Sequence, residues 1–343
     1  MEDNMIPIID MHCDTISEIW KNDKSGTEMH LDNNSLSVDL GKMKKGGYLC
    51  QNFALYTNLE QVRKDGESAF DHAMMLSDLM DRELENNKDI IQPALSGTEI
   101  EENYRNGYLS GLKTIEEGAV YQGSVDNLKR FYEKGVRMST LTWNFENELA
   151  YPNRFEKDPE DSEKISVSCD TENGLKPAGF QMVEAMEELG VIIDLSHLND
   201  AGIFDVFRTV KKGTPIVASH SNARSVTMHP RNLSDEMILK IAESGGVCGI
   251  NFAFEFISEK DDAEKLTRIE YMLAHMKYMK NLAGIEVIGF GSDFDGIGNK
   301  VEIADASGMQ QIADAMSLAG FSTDEIEKVF YKNVLRVYKT VLG

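Results

Sequence analysis

No stretch of about 18 apolar residues, the length that would cross a bilayer as a helix, occurs anywhere in the 343-residue sequence. The opening Met1-Glu-Asp-Asn is acidic, and the apolar stretch Met5 to Ile9 is too short for the core of a secretory signal. Cysteine is sparse: Cys13, Cys50, Cys169 and Cys248 are scattered with no CxxC pair, which excludes a disulfide framework and fits a reducing compartment. A cytoplasmic location is the expectation. Positive charge is also in short supply, with 35 Lys and Arg against 58 Asp and Glu, a net charge of −23. Such a surface repels nucleic acid and anionic lipid, so neither is expected as a partner. No linker, repeat or low-complexity segment separates a second domain, so residues 1–343 are expected to form one.

What is present is ordinary globular material, 41% hydrophobic and 27% charged, arranged with a clear rhythm. Eight short apolar runs begin at Pro7, Gly47, Leu112, Val136, Val191, Pro215, Gly246 and Val287. They are continuous rather than alternating, which suits strands buried on both faces of a parallel sheet. Amphipathic stretches lie between them, beginning at Ser68, Ser124, Pro177, Asp235 and Leu266, and several end in Gly, as helices commonly do. Eight strands alternating with helices predict an α/β fold, a (β/α)₈ TIM-like barrel. A doubly wound sheet is the competing architecture, but the first strand is not followed by a Gly-rich phosphate fingerprint. Residues 15–46, polar with few helix signals, and the acidic residues 145–175 exceed a minimal barrel. Both follow a strand and are expected as insertions on the C-terminal face, where barrel loops build sites.

The ends of the strands carry the chemistry. The first ends in His12-x-Asp14, the third in Glu116-Glu117 and the fifth in Asp194-Leu-Ser-His197; the sixth ends in Ser219-His220 and the eighth in Asp293-Phe-Asp295. Imidazole and carboxylate together suit a borderline divalent metal such as zinc. Strand residues i and i+2 share a face, so His12 and Asp14 can reach one ion together. One strand-end histidine is more often structural than a ligand, but His12, His197 and His220 converging on one mouth favour a metal. His72 and His275 fall in helical patterns and His30 in a polar loop, so none of the three is read as a ligand. His229 neighbours Arg231 at the mouth, and Cys13, between two ligands, faces the barrel wall.

The motifs IIDMHCDT, KMKKGGYLCQNFA, EEGAV, DLSH, SHSNAR, PRN and GFGSDFDG occur in this order, and together the chain resembles the membrane dipeptidase (renal dipeptidase) family of zinc metallopeptidases nearly end to end. The resemblance implies two Zn²⁺ ions, one held by His12 and Asp14 and the other by His197 and His220. It implies Glu117 as the bridging ligand, preferred over Glu116 because Gly118 follows it and because strand alternation is expected to send Glu116 the other way. It assigns Arg231 to the substrate's free carboxylate and Asp293 to the proton of the attacking water, with Asp295 as an alternative read as structural. Two such ions about 3.5–4 Å apart share a hydroxide and polarise a carbonyl.

One departure stands out. The family's fourth strand ends in Thr-His where this chain has Thr142-Trp143, and an indole N–H donates one hydrogen bond but cannot carry charge or bind metal. Trp143 therefore either supports the oxyanion or narrows the pocket. The expected activity is hydrolysis of dipeptides, including those with a C-terminal D-residue. The alternative is a related metal-dependent amidohydrolase acting on another amide or a lactam, and a catalytically silent metal-binding scaffold is the third possibility. The membrane anchor of animal members is expected to be absent, and a homodimer is implied by resemblance alone.

Overall fold

The computed structural model describes residues 5–157, 165–260 and 263–343. Eight parallel strands close on themselves: β1 (Ile8–Cys13), β2 (Tyr48–Tyr56), β3 (Leu109–Glu116), β4 (Val136–Thr140), β5 (Ile192–Asp194), β6 (Val217–Ala218), β7 (Val247–Ile250) and β8 (Ile288–Phe290). Each pairs with the next and β8 pairs with β1, which makes a (β/α)₈ barrel. The predicted runs each overlap one of these strands, although the third strand begins at Leu109, ahead of the run expected from Leu112.

Two apolar clusters hold the barrel. Ile9, Met11, Leu112, Met138, Ile192 and Val247 pack with Val334 and Tyr338 of the C-terminal helix Asn333–Val341 to form the smaller one, which fills the barrel. The larger lies between the strands and the outer helices. The helices obey local rules. Pro177 opens Pro177–Leu189 at a position needing no N–H, and Gly190, at φ 72°, ends it in the left-handed conformation.

Three features differ from the sequence reading. Residues 15–46 contain helices Thr15–Lys24 and Leu40–Gly46. The first starts directly after Asp14, which makes no side-chain cap, so no punctuation marks it; its buried Ile16 and Ile19 hold it instead. Residues 145–175 carry an antiparallel hairpin, Arg154–Lys157 with Ile165–Ser168, whose base is tied by Arg154 Nη2 donating to Asp170 Oδ1 at 3.0 Å. Residues 158–164 of that segment lie outside the described residues. The helix expected from Leu266 begins at Ile269, because Leu266–Thr267 instead pairs with Lys300–Val301.

Candidate metal centre and active site

All the singled-out strand-end residues sit at the C-terminal mouth, but the backbone does not deliver them by simple alternation. Glu117, His197, Asp293 and Asp295 have φ of 99°, 68°, 62° and 68°. Non-glycine residues rarely take such values, and they cluster at functional sites. The loop after β8 must also approach closely: a Cβ on Gly296 would lie 2.1 Å from Asp14 Oδ2.

His12, Asp14, Glu116, His197, His220 and Asp293 converge. His12 Nε2 lies 3.4 Å from Asp14 Oδ2, 3.4 Å from Glu116 Oε2 and 3.8 Å from Asp293 Oδ1. Glu116 Oε1 lies 2.9 Å from His197 Nε2 and 3.5 Å from His220 Nε2. The two oxygens of one carboxylate thus face different histidines.

That carboxylate belongs to Glu116, not to Glu117 as the motif match suggested. Leu112 packs inside the barrel, whereas Lys113 points outward to Ser77 and Asp81. Alternation from Leu112 through Thr114 therefore brings Glu116 inward. Glu117, past the strand end, turns away and is fully buried; it accepts hydrogen bonds from Ala119 N at 2.9 Å, Trp143 N at 3.0 Å and the Asn147 amide. It is a structural acceptor beneath the mouth.

Whether these residues suit a metal is tested by their unused valence. His12 Nε2 and Asp14 Oδ1 are buried with no hydrogen-bond partner among the described residues, an arrangement that is costly unless something else binds there. Donor atoms of His12, Glu116 and His220 lie within 4.8 Å of one another, as do those of His12, Asp14 and Asp293. The other ring nitrogens are committed. His197 Nδ1 is 3.2 Å from Asn144 Oδ1, and His220 Nδ1 is 2.7 Å from the Ser219 hydroxyl, which donates to Asp194. Such outer partners fix the tautomer that turns the Nε2 lone pairs into the cluster, where those of His197 and His220 stand 2.9 Å apart. The residues fit a divalent ion.

Electrostatics agree. Burial, reinforced by Arg231 and His12, pushes His197 and His220 well below the ordinary imidazole range, so both are neutral. Burial pulls His12 the same way, but Glu116 and Asp14 outweigh it and raise His12. Burial pushes Glu116 up to about 7 against the opposing pull of His12. Carboxylates crowded into one dry site, with Asp293 also raised by burial, call for positive charge there.

The remaining candidates line a cleft of about 450 Å³ over this cluster. Arg231 is buried, donating from Nη1 to Ser221 Oγ at 3.2 Å and from Nη2 to His220 O at 3.3 Å. Its Nε has no hydrogen-bond partner among the described residues. Asp293 Oδ2 accepts from Asn251 Nδ2 at 2.9 Å, leaving Oδ1 toward His12. Asp295 accepts from Thr15 Oγ1 at 2.6 Å and Ser37 N at 2.7 Å, a structural clamp on the first insertion. Trp143 and His229 line the cleft, while Cys13 packs in the outer core. His275 accepts from Ala223 N, His72 stacks on Trp20 and His30 pairs with Glu83, all away from the cluster. Asn144, Asn147 and Asn251 escaped the sequence reading because an amide does not titrate, although Asn251 stands just past the end of β7, a strand-end position like that of the Asp293 it bonds.

Comparison with known proteins gives this geometry a family. The membrane dipeptidase family (peptidase family M19) matches residues 3–342. The chain is 32% identical over 247 residues to an uncharacterized Klebsiella pneumoniae protein encoded in the pqqA 5′ region, covering 72% of this chain and 88% of that one. It is 30% identical over 309 residues to the dipeptidase aclJ of Aspergillus oryzae, covering 88% and 69%. Among solved structures, a metallopeptidase from Rhodobacter sphaeroides, bound to a phosphinate mimic of the dipeptide L-Ala-D-Ala, superposes with a TM-score of 0.85 at 26% identity, covering 98% of this chain and all of that one. A dipeptidase of family M19 superposes with a TM-score of 0.86 at 26% identity, covering 99% and 100%. No helix among the described residues is long and apolar enough to cross a membrane. The chain belongs to the membrane dipeptidase family and is a metallopeptidase of the dipeptidase type.

Proposed function

We propose that this enzyme hydrolyses dipeptides, including those with a C-terminal D-residue, using two zinc ions. His12 and Asp14 hold one, His197 and His220 the other, and Glu116 lies between them. The observation that carries this reading is the split of the Glu116 carboxylate, with Oε2 3.4 Å from His12 and Oε1 2.9 Å from His197. When bound, such ions lower the pKa of water and polarise the scissile carbonyl. Asp293, steadied by Asn251, accepts the proton of the attacking water at Oδ1 and passes it to the leaving amine. Arg231 pairs with the substrate's free carboxylate, which limits the substrate to short peptides ending there. D-residue tolerance is supported by the L-Ala-D-Ala mimic bound to the Rhodobacter sphaeroides relative. A cytoplasmic location accords with four free cysteines.

The test is hydrolysis of a panel of L-Xaa-L-Xaa and L-Xaa-D-Xaa dipeptides with bound zinc counted in the same preparation. Turnover with two zinc ions per chain is the expected result. A protein carrying two zinc ions that cleaves no member of the panel refutes the reading.

A further inference from the structure

One wall of the cleft is built of aromatic rings. The Trp143 indole, half-buried at the end of β4, meets Tyr56 edge-on at 5.1 Å and Phe145 at 5.4 Å, and its centroid stands 6.0 Å from that of His197. Its backbone N–H is held by Glu117 at 3.0 Å, so both ends of the residue are fixed. Phe155 and Val167 of the hairpin add apolar surface to the same cleft. Charge near the wall is neutralised within the protein: Glu18 and Lys21, which also line the cleft, pair with each other at 2.5 Å.

Ring position decides which part of a substrate meets this wall. In a closed ring of eight strands, β2 stands opposite β6. Tyr56 ends β2, while Arg231 sits in the loop after β6, bonded to Ser221 and to the His220 carbonyl. The metal cluster lies between them. A dipeptide spans only about 7 Å from end to end. With its carboxylate at Arg231 and its peptide carbonyl at the cluster, its N-terminal residue is directed toward Tyr56 and so toward the Trp143 indole packed on that ring.

We infer that Trp143, braced by Tyr56 and Phe145, is a specificity-determining residue that selects dipeptides with a large apolar or aromatic N-terminal side chain. This rests on the proposed dipeptidase reading and narrows it to a substrate class. An indole face offers a large ring or branched alkyl chain dispersion and apolar burial, and offers little to glycine. A carboxylate side chain adds charge to a cleft already lined by Asp14, Glu116, Glu255 and Asp293.

The experiment measures kcat/KM of the zinc-loaded enzyme for Phe-Ala, Leu-Ala, Gly-Ala and Asp-Ala, and for the reversed series Ala-Phe and Ala-Gly. Burial of one such side chain predicts a Phe-Ala to Gly-Ala ratio of about 10 or more. In Trp143→Ala this ratio falls about tenfold, Trp143→Phe retains most of it, and the Ala-Phe to Ala-Gly ratio moves by less than about threefold. Should Trp143→Ala not fold, Trp143→His, carrying the imidazole expected from the family pattern, reports the same loss. A ratio unchanged by these substitutions, or a change confined to the Ala-Xaa series, overturns the assignment. Hydrolysis of dipeptides with no N-terminal preference sinks this inference alone, whereas hydrolysis of none sinks the dipeptidase reading with it.

Discussion

Replacing each of two adjacent glutamates by glutamine separates the chemistry of the site from its scaffolding. Glu116 is within 3.5 Å of three imidazole nitrogens through two different oxygens. Glu116→Gln exchanges one of those oxygens for an NH₂ group that cannot ligate a cation and, on the proposed two-zinc reading, removes the charge that both ions would share. Loss of a mere outer partner of a ligand costs about 10- to 100-fold. A ligand common to two ions affects both, so kcat/KM is expected to fall at least about 10²-fold and bound zinc to drop below two per chain. Glu117→Gln acts elsewhere. One of its three hydrogen bonds, to Ala119 N, Trp143 N or Asn147, is lost in a buried site, which costs about 1–3 kcal/mol of stability. Its zinc content is expected to stay at two and its activity within about tenfold of the parent. Elemental analysis, steady-state kinetics on one dipeptide and urea denaturation measure all three quantities. The reverse pattern, with Glu117→Gln losing metal and Glu116→Gln keeping it, refutes the inward phase assigned to β3.

Three further perturbations address other groups. Arg231→Ala is expected to raise KM for dipeptides about 30-fold or more, since one partner of a buried charged pair is removed, while a C-terminally amidated analogue is nearly indifferent; equal losses on both would exclude carboxylate recognition. Asp293→Asn should lower kcat by about 10²–10⁴-fold with KM changed only a few-fold, and retention of kcat would remove it as the proton acceptor. His275 concerns stability. Burial lowers it from 6.5 to about 4, so between those values the unfolded chain binds a proton that the native chain does not. Its contribution is therefore complete above pH 6.5 and is lost as pH falls toward 4, by up to about 3 kcal/mol. His275→Gln should flatten that part of the stability curve in urea titrations at several pH values, and an unchanged slope would contradict it.

The fold was legible because continuous apolar runs and Gly-terminated amphipathic stretches are direct consequences of a parallel barrel. The candidate ligands were legible as residue types at strand ends. The phase of a single strand was the weak point: Glu116 and Glu117 differ in sequence by one position, and both the motif and the expected alternation pointed to Glu117, which the structure turns away from the cluster. Reading Lys113 as the outward residue would have settled it, since a lysine in a barrel strand must reach toward an outer helix such as Ala69–Asn86. The helix at Thr15 was hidden for a different reason. It runs on from a metal-site residue without a capping side chain, so packing of Ile16 and Ile19, visible only in three dimensions, is what holds it.

The backbone at Glu117, His197, Asp293 and Asp295 has an evolutionary consequence. Each occupies a conformation that glycine adopts freely and that costs another residue about 1–3 kcal/mol. A lineage freed from catalytic work could relieve the strain with glycine at His197 or Asp293, whereas glycine at Glu117 or Asp295 would also forfeit buried hydrogen bonds. This chain has taken none of those steps. It keeps an imidazole and three carboxylates on strained turns: His197 and Asp293 where the side chain faces the cluster, Glu117 and Asp295 where buried hydrogen bonds outweigh the backbone cost.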